Sequence, residues 1–326
     1  MNLKAILSNY NTQEKCLAVM EKARWGKQVT CPYCKDAEHI SNADHRYHCN
    51  NCKKSFSVTV GTSFEELKLP LPDLFLTVGL MLNSPQGISA MVLSRNTGLP
   101  YKTAWYTAMR IRCGMVESIN NMRGTIEMDE MYVGGKPKKL RTTSNSPVIS
   151  TVESEAPKRG RGTSRIKVAG MVERDGRVIT HIMDTFNSYN MLQMLRRHVD
   201  EDKSVVMTDE ARFYNALDAE VRHKTIKHKE TYVKGKTHIN TIEGFWSTIK
   251  NGIKGNYRVI SPKYLPFYLT EFCYKYNRRK KKADPIMAFF KNALSHANCF
   301  ADYKPVQPPR KLVLRYKKKP TIYLKK

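Results

Sequence analysis

The chain has 326 residues, of which 56 are Lys or Arg and 29 are Asp or Glu, giving a formal net charge of +27. So basic a balance points to a polyanionic partner, nucleic acid first and a membrane surface second, because each neutralised phosphate releases counterions. There is no run of 18 apolar residues and no signal-peptide core in MNLKAILSNYNTQEKC, which argues against a spanning helix and predicts a chain that stays where it is made, in the cytoplasm.

Residues 1–25 read as an N-terminal helix, with Leu3, Ile6, Leu7, Cys16, Leu17 and Met20 apolar and Arg24-Trp25-Gly26 at its end. Residues 26–62 carry two CxxC pairs, Cys31 with Cys34 and Cys49 with Cys52, with 14 residues between the pairs. Each pair can form a tight turn that presents two thiolates to one ion. Two such turns on facing hairpins give the tetrahedral sulfur site that Zn²⁺ accepts. A redox CxxC needs only one pair, and in a reducing compartment paired cysteines read as metal ligands before disulfides. Four sulfurs complete the shell without His39, His45 or His48. The expectation is a zinc ribbon with one structural Zn²⁺.

Residues 63–122 read as helical. Ile88 to Ser94 and Tyr101 to Met115 flank the turn Asn96-Thr97-Gly98. The pattern suits a helix-turn-helix DNA-binding domain that presents Tyr101, Lys102, Thr103 and Tyr106 from the start of its second helix. A plain helical hairpin fits the same pattern.

From Gly124 the pattern changes to strands. TIEMDEMYV is the first, and an insert over 136–167 follows, with nine Lys or Arg against two Asp or Glu. The insert contains Arg159 and Arg161 and reads as flexible or ordered by DNA. RIKVAGMVER and GRVITHIMD make a hairpin across Asp175-Gly176, SYNMLQMLRRHV a helix, SVVMTDE a buried strand, Phe213 to Leu217 a short helix and RHKTIKH another strand. This is an α/β order around a mixed sheet. PKYLPFYLTEFCYKYNRRKKKADP reads as a helix that runs into a basic block, and 296–326 as a basic, Pro-broken tail.

The stretch HINTIEGFWSTIKNGIK begins with a capping signature, Asn240 followed by Glu243. Ile242, Phe245, Ile249 and Ile253 share one helical face. Glu243, Lys250 and Lys254 share the neighbouring one, since seven residues make nearly two turns. Glu243 can be a mere cap partner of Asn240. It can also join Asp129 and Asp209, which precede it with 79 and then 33 residues between successive carboxylates. Three convergent carboxylates suit two Mg²⁺ or Mn²⁺ ions and a phosphodiester substrate. Glu130 and Glu210, each next to an Asp, remain alternatives.

The order of zinc ribbon, helix-turn-helix, EMDEMYVGGK, KRGRG, TDEARFY and HINTIEGFWSTIK resembles the zinc-ribbon group of bacterial insertion-sequence DDE transposases over about residues 20 to 282. The resemblance implies a multi-domain α+β chain with an RNase H-like catalytic domain over 123–295. It implies binding of terminal inverted repeats, Mg²⁺-dependent strand cleavage and strand transfer, with Asp129, Asp209 and Glu243 as catalytic ligands of two Mg²⁺ or Mn²⁺ ions. Lys250 matches the basic position seven residues after the last carboxylate, and Lys254 is expected to help it hold DNA. Because some members have Asn as the third residue, Asn240 stands as the alternative. The implied partners are double-stranded element ends and target DNA, bound by a homodimer at the nucleoid, with no membrane. A domesticated, non-catalytic DNA-binding protein and a structure-specific nuclease on an RNase H-like fold are the competing readings.

Overall fold

The computed structural model describes residues 2–134, 165–226 and 238–295. Arg159 and Arg161 of the basic insert and the tail 296–326 therefore lie outside the described residues. The chain divides into two compact units. One is Met1–Asn120 with Asp175–Ile179 and Gly244–Lys326; the other is Asn121–Arg174 with Thr180–Glu243.

The first unit opens with two helices where the apolar pattern predicts one, α1 (Leu3–Asn9) and α2 (Gln13–Trp25). The break is a helix-start signal inside the stretch: the Thr12 hydroxyl accepts from the backbone N–H of Lys15 at 3.3 Å and caps α2. The strands β1 (Ile40–Ala43), β2 (Arg46–Cys49) and β3 (Lys54–Phe56) form a small antiparallel sheet in that order. Helices α3 (Leu71–Leu82), α4 (Ala90–Thr97) and α5 (Tyr101–Gly114) follow. Gly98, at φ 72°, takes the left-handed conformation that ends α4, a position that favours glycine.

Two C-terminal helices complete this unit, α8 (Leu265–Arg278) and α9 (Pro285–Ser295). The sequence reading places 123–295 together as one catalytic domain. The apolar core groups α9 with the N-terminal helices instead. Phe289 and Phe290 are fully buried with Phe64, Leu74, Phe75 and Val78, and Phe290 stacks on Phe75 at 4.4 Å between ring centroids. Asp284 and Pro285 start α9, with Asp284 Oδ1 accepting from Ile286 N at 3.0 Å; Pro suits the first helical position, where no N–H partner is needed. A buried ion cluster ties α5 to α8: Arg112 donates to Glu271 at 2.7 Å, with side chains 2% and 0% exposed. Lys275 reaches the other Glu271 oxygen at 2.5 Å, and Tyr257 donates to the same carboxylate at 3.1 Å.

The second unit is built on the longest strand, β4 (Met122–Val133), with β5 (Ile166–Glu173), β6 (Val178–Met183), β7 (Val199–Thr208) and β8 (Arg222–Thr225). The sheet order is β6-β5-β4-β7-β8. β5 runs antiparallel to β4, while β7 runs parallel to β4 and β8 parallel to β7. Strand order 3-2-1-4-5 with two parallel additions is the RNase H-like arrangement expected above. Parallel neighbours need a crossover, and α6 (Ser188–His198) supplies it between β6 and β7, burying Met191, Met194 and Leu195. A 3₁₀ helix, Arg212–Ala219, leads from β7 to β8 and buries Tyr214 and Leu217.

Helix α7 (Asn240–Gly252) carries the stretch with Glu243. Its apolar stripe is buried as the spacing predicts, at Ile242, Phe245, Trp246 and Ile249. The stripe stops short of Ile253, because residues Ile253–Tyr257 form a π-type turn. A Cβ on Gly252 would lie 2.5 Å from both the Gln86 carbonyl oxygen and the Phe272 ring, so only glycine fits where the helix changes winding. Among the described residues no helix is long and apolar enough to cross a membrane.

Candidate functional site

The four predicted sulfurs come together: Cys31, Cys34, Cys49 and Cys52 lie within 4.8 Å of one another. The two CxxC turns repeat one geometry. Lys35 N donates to Cys31 O at 3.1 Å and Lys53 N to Cys49 O at 2.8 Å, with Lys35 and Lys53 both at positive φ, 67° and 59°. Cys31 and Cys52 are 3.7 Å apart at sulfur, and Cys34 and Cys49 3.6 Å. A tetrahedron with Zn–S near ~2.3 Å has edges of about 3.8 Å, so the donor set fits Zn²⁺. Burial resists ionisation of Cys31, but the backbone N–H groups of Cys34 and Tyr33 and the neighbouring thiols bring it down to about 7. Cys34 has the backbone N–H of Asp36 in favour of its thiolate, yet burial and the adjacent sulfurs push it up to about 12. Four thiolates this close need a cation between them. Trp25 packs edge-on to Tyr47 at 4.9 Å, and Tyr47 stacks on Phe56 at 5.6 Å, which gives the ribbon a small core.

On α5, Tyr101 is 52% exposed and Tyr106 36%. Lys102 is exposed and Thr103 half-buried, while the same helix buries Ala104, Ala108 and Ile111. The N-terminal half therefore offers the polar and aromatic groups that the sequence singles out.

In the second unit the parallel register of β4 and β7 does the assembling. Glu127 pairs with Met207; two residues further along the chain in each case stand Asp129, on β4, and Asp209, directly after the end of β7. Side chains two apart on a strand leave the same face, so a parallel pair in this register sets the two aspartates side by side. Carboxylate oxygens of Asp129, Asp209 and Glu130 lie within 4.8 Å of one another. Three acidic oxygen donors at that spacing repel one another and suit a hard divalent cation. Asp209 Oδ1 also accepts from Ala211 N at 3.0 Å, which fixes its rotamer. Tyr214 donates to Glu130 Oε2 at 2.9 Å. Burial, then the Glu130, Asp129 and Asp209 carboxylates, push the Tyr214 phenol well above its usual range, so it stays a neutral donor.

Glu130 thus belongs to the acidic group by geometry, although composition alone left it only as an alternative. Glu243 and Glu210 stand outside that group of three and are exposed. Glu243 sits in the first turn of α7, its N–H donating to Ile239 O at 3.2 Å. Asn240 is the first residue of the helix. Lys250 is exposed on α7, seven residues past Glu243, whereas Lys254 is exposed on the π-type turn and so leaves the helical face they would share.

Sequence reasoning passed over Glu127. This side chain is 0% exposed, and its carboxylate accepts from Thr241 N at 2.8 Å, Ile242 N at 3.0 Å, Thr241 Oγ1 at 2.9 Å and Arg174 Nε at 2.7 Å. Two N–H groups of the first turn of α7, at Thr241 and Ile242, thus donate to this buried glutamate. A charge inside the apolar strand pattern Ile126-Glu127-Met128 was the available signal.

Two known families match the chain. The ISXO2-like transposase domain matches residues 121–277, and the transposase zinc-ribbon domain matches residues 11–55. An uncharacterized protein in transposable element ISH50 of Halobacterium salinarum is 25% identical over 279 residues, which are 82% of this chain and 91% of that protein. Among solved structures, the Mos1 strand transfer complex is 12% identical, covering 74% of this chain and 75% of that one, at a TM-score of 0.28. The simian T-cell lymphotropic virus intasome is 10% identical, covering 60% and 65%, at a TM-score of 0.27. Scores that low define nothing about the fold, which rests on the strand order itself.

Proposed function

We propose that the chain, which matches the ISXO2-like transposase domain over 121–277 and the transposase zinc-ribbon domain over 11–55, is a zinc-ribbon insertion-sequence DDE transposase that binds the ends of its element and catalyses metal-dependent cleavage and strand transfer of DNA. The observation that carries this reading is the meeting of Asp129 and Asp209 through the β4–β7 register. We assign Asp129, Asp209 and Glu243 as the metal-holding carboxylates, with Mg²⁺ as the physiological ion. Charge favours Glu243 over Asn240 as third ligand: two ions carry four positive charges, and a third carboxylate offsets more of them than a neutral amide. Two divalent ions held there would activate the attacking oxygen and stabilise the leaving one.

The protein's own groups have separate tasks. Asp129 stands on β4 and Asp209 directly after the end of β7, both just beyond the last paired residues of the two strands, Glu127 and Met207. Tyr214 holds Glu130, and with it one side of the acidic group. Tyr101, Lys102 and Thr103 on α5 suit contact with an element end. Lys250 and Lys254 supply positive charge for flanking phosphates, and the basic insert with Arg159 and Arg161 is assigned the same work. One ribbon zinc per chain has a structural role. Two element ends call for two active sites, hence a homodimer on DNA, in the cytoplasm at the nucleoid.

The test is a joining reaction containing the protein, Mg²⁺, a duplex that ends in the element's terminal repeats and a supercoiled target. Glu243→Gln should abolish joined product while end binding persists. Asn240→Ala should retain most of the activity. The reverse result would move the third ligand to Asn240, and no product from wild-type protein that still binds ends would favour the non-catalytic regulator.

A further inference from the structure

We infer that Glu127 is a positioning residue, a buried carboxylate that braces the N-terminus of α7 against the catalytic strand and so sets where Glu243 stands. The inference rests on Glu243 being a metal ligand, as proposed above. Glu127 and Asp129 are two apart on β4 and leave the same face of the strand. Asp129 turns to the acidic group, while Glu127 turns to the helix. The first N–H groups of any helix lack intrahelical partners, and here two of them, at Thr241 and Ile242, are taken by one Glu127 oxygen at 2.8 and 3.0 Å. The other oxygen takes the Thr241 hydroxyl and the Arg174 guanidinium. An ionised carboxylate has about four acceptor sites, and all four are used.

The anchoring continues through Arg174. Its backbone N–H donates to Thr125 O at 2.9 Å, which locks it to β4, and its Nη2 donates to His238 O at 2.8 Å, which holds the chain just before the helix. Glu127 and Arg174 therefore grip the entry to α7 from both sides of the helix start. Glu243 is one residue beyond Ile242. A shift of the first turn relative to β4 moves Glu243 relative to Asp129 by the same amount. A helix capped only by its own Asn240 would have no such tie to the strand that carries the first aspartate.

The experiment compares wild type with Glu127→Gln and Thr241→Val in the full chain. Hydrogen exchange at Thr241 and Ile242 reads the brace, and the Mg²⁺ midpoint of strand joining reads ligand placement. Supporting groups behind metal ligands change affinity or activity by about 10–100-fold. For Glu127→Gln we expect faster exchange at both amides and a Mg²⁺ midpoint raised about tenfold, with Mn²⁺ binding by electron paramagnetic resonance weakened in parallel. A merely structural lesion would lower the active fraction and leave the midpoint in place. Should Glu127→Gln fail to fold, Thr241→Val decides, since it removes one of the four hydrogen bonds and leaves the buried charge paired; its midpoint should still rise. An unchanged midpoint in whichever of the two variants folds would overturn the inference. Glu243→Gln run alongside separates the two ideas: if it joins DNA like wild type, the ligand assignment fails, whatever Glu127 does.

Discussion

The two clusters of metal-type donors are built in opposite ways. The four sulfurs lie between Cys31 and Cys52 and are set by two short turns of matching hydrogen bonds. The carboxylates of Asp129 and Asp209 are 80 positions apart in the chain and meet only because β7 lies parallel to β4 in one register. An ion held by the first cluster would be most of the ribbon's core, since the other buried side chains there are chiefly Tyr47 and Phe56. In the second the fold stands first and the donors are placed by it. Metal should therefore be a condition of folding in one region and only a condition of chemistry in the other.

The strongest way to break that contrast is at the sulfurs. Cys49→Ser should remove zinc from the purified protein, by elemental analysis, and unfold the ribbon, because structural zinc contributes on the order of 10 kcal/mol of folding free energy in small zinc domains. The sheet of the second unit should keep its hydrogen-exchange protection. If the sheet melts as well, the two regions are not independent in the way their construction suggests.

A buried carboxylate that belongs to neither cluster serves as a control. Glu271 is fully buried, and although burial works against its charge, Lys275 and Arg112 hold its carboxyl below the usual range. Glu271→Gln leaves Arg112 buried beside a neutral amide and should cost about 3–5 kcal/mol in chemical denaturation. The sign with pH follows: this stability is present above the unfolded carboxyl value of about 4.3 and is lost as pH falls. Zinc content should not change in this variant, since the ribbon sulfurs are untouched.

A smaller effect is expected at the histidine pair of the second unit. His181 and His198 face each other at 2.9 Å between Nε2 atoms. Burial, then His198 and Arg197, lower the His181 value to about 3. The unfolded chain binds a proton there near ~6.5, so stability should fall as pH drops from about 6.5 towards 3. The slope from this group is at most about 1.4 kcal/mol per pH unit, and solvent reaching the half-buried ring lessens it. His181→Gln should flatten the pH dependence of the thermal midpoint over that window; an unchanged slope would mean the pair is not protonated on unfolding. Smallest of all, Lys102→Ala should reduce the salt dependence of DNA-end binding by about one counterion.

The contrast also accounts for what could be read from the residues alone. Sulfur spacing is a local property, so the ribbon ligands were legible down to the residue. The strands, α6 and the apolar stripe of α7 followed from periodicity, for the same local reason. Glu127 was not legible, because its partners Thr241 and Ile242 are 114 and 115 positions away and no spacing rule links them. Helix α9 was hidden by the basic run before it, although Asp284-Pro285 marks its start. The π-type turn after Gly252 depends on how closely Gln86 and Phe272 approach that glycine, which only packing reveals.

The proposed hold of Asp129, Asp209 and Glu243 on the catalytic ions can be observed by anomalous diffraction from crystals of the DNA-bound protein containing Mn²⁺ in place of Mg²⁺. Mn²⁺ should then have oxygen ligands at about 2.1 Å from all three carboxylates. Mn²⁺ held by Asp129, Glu130 and Asp209, with Glu243 turned to solvent, would contradict it.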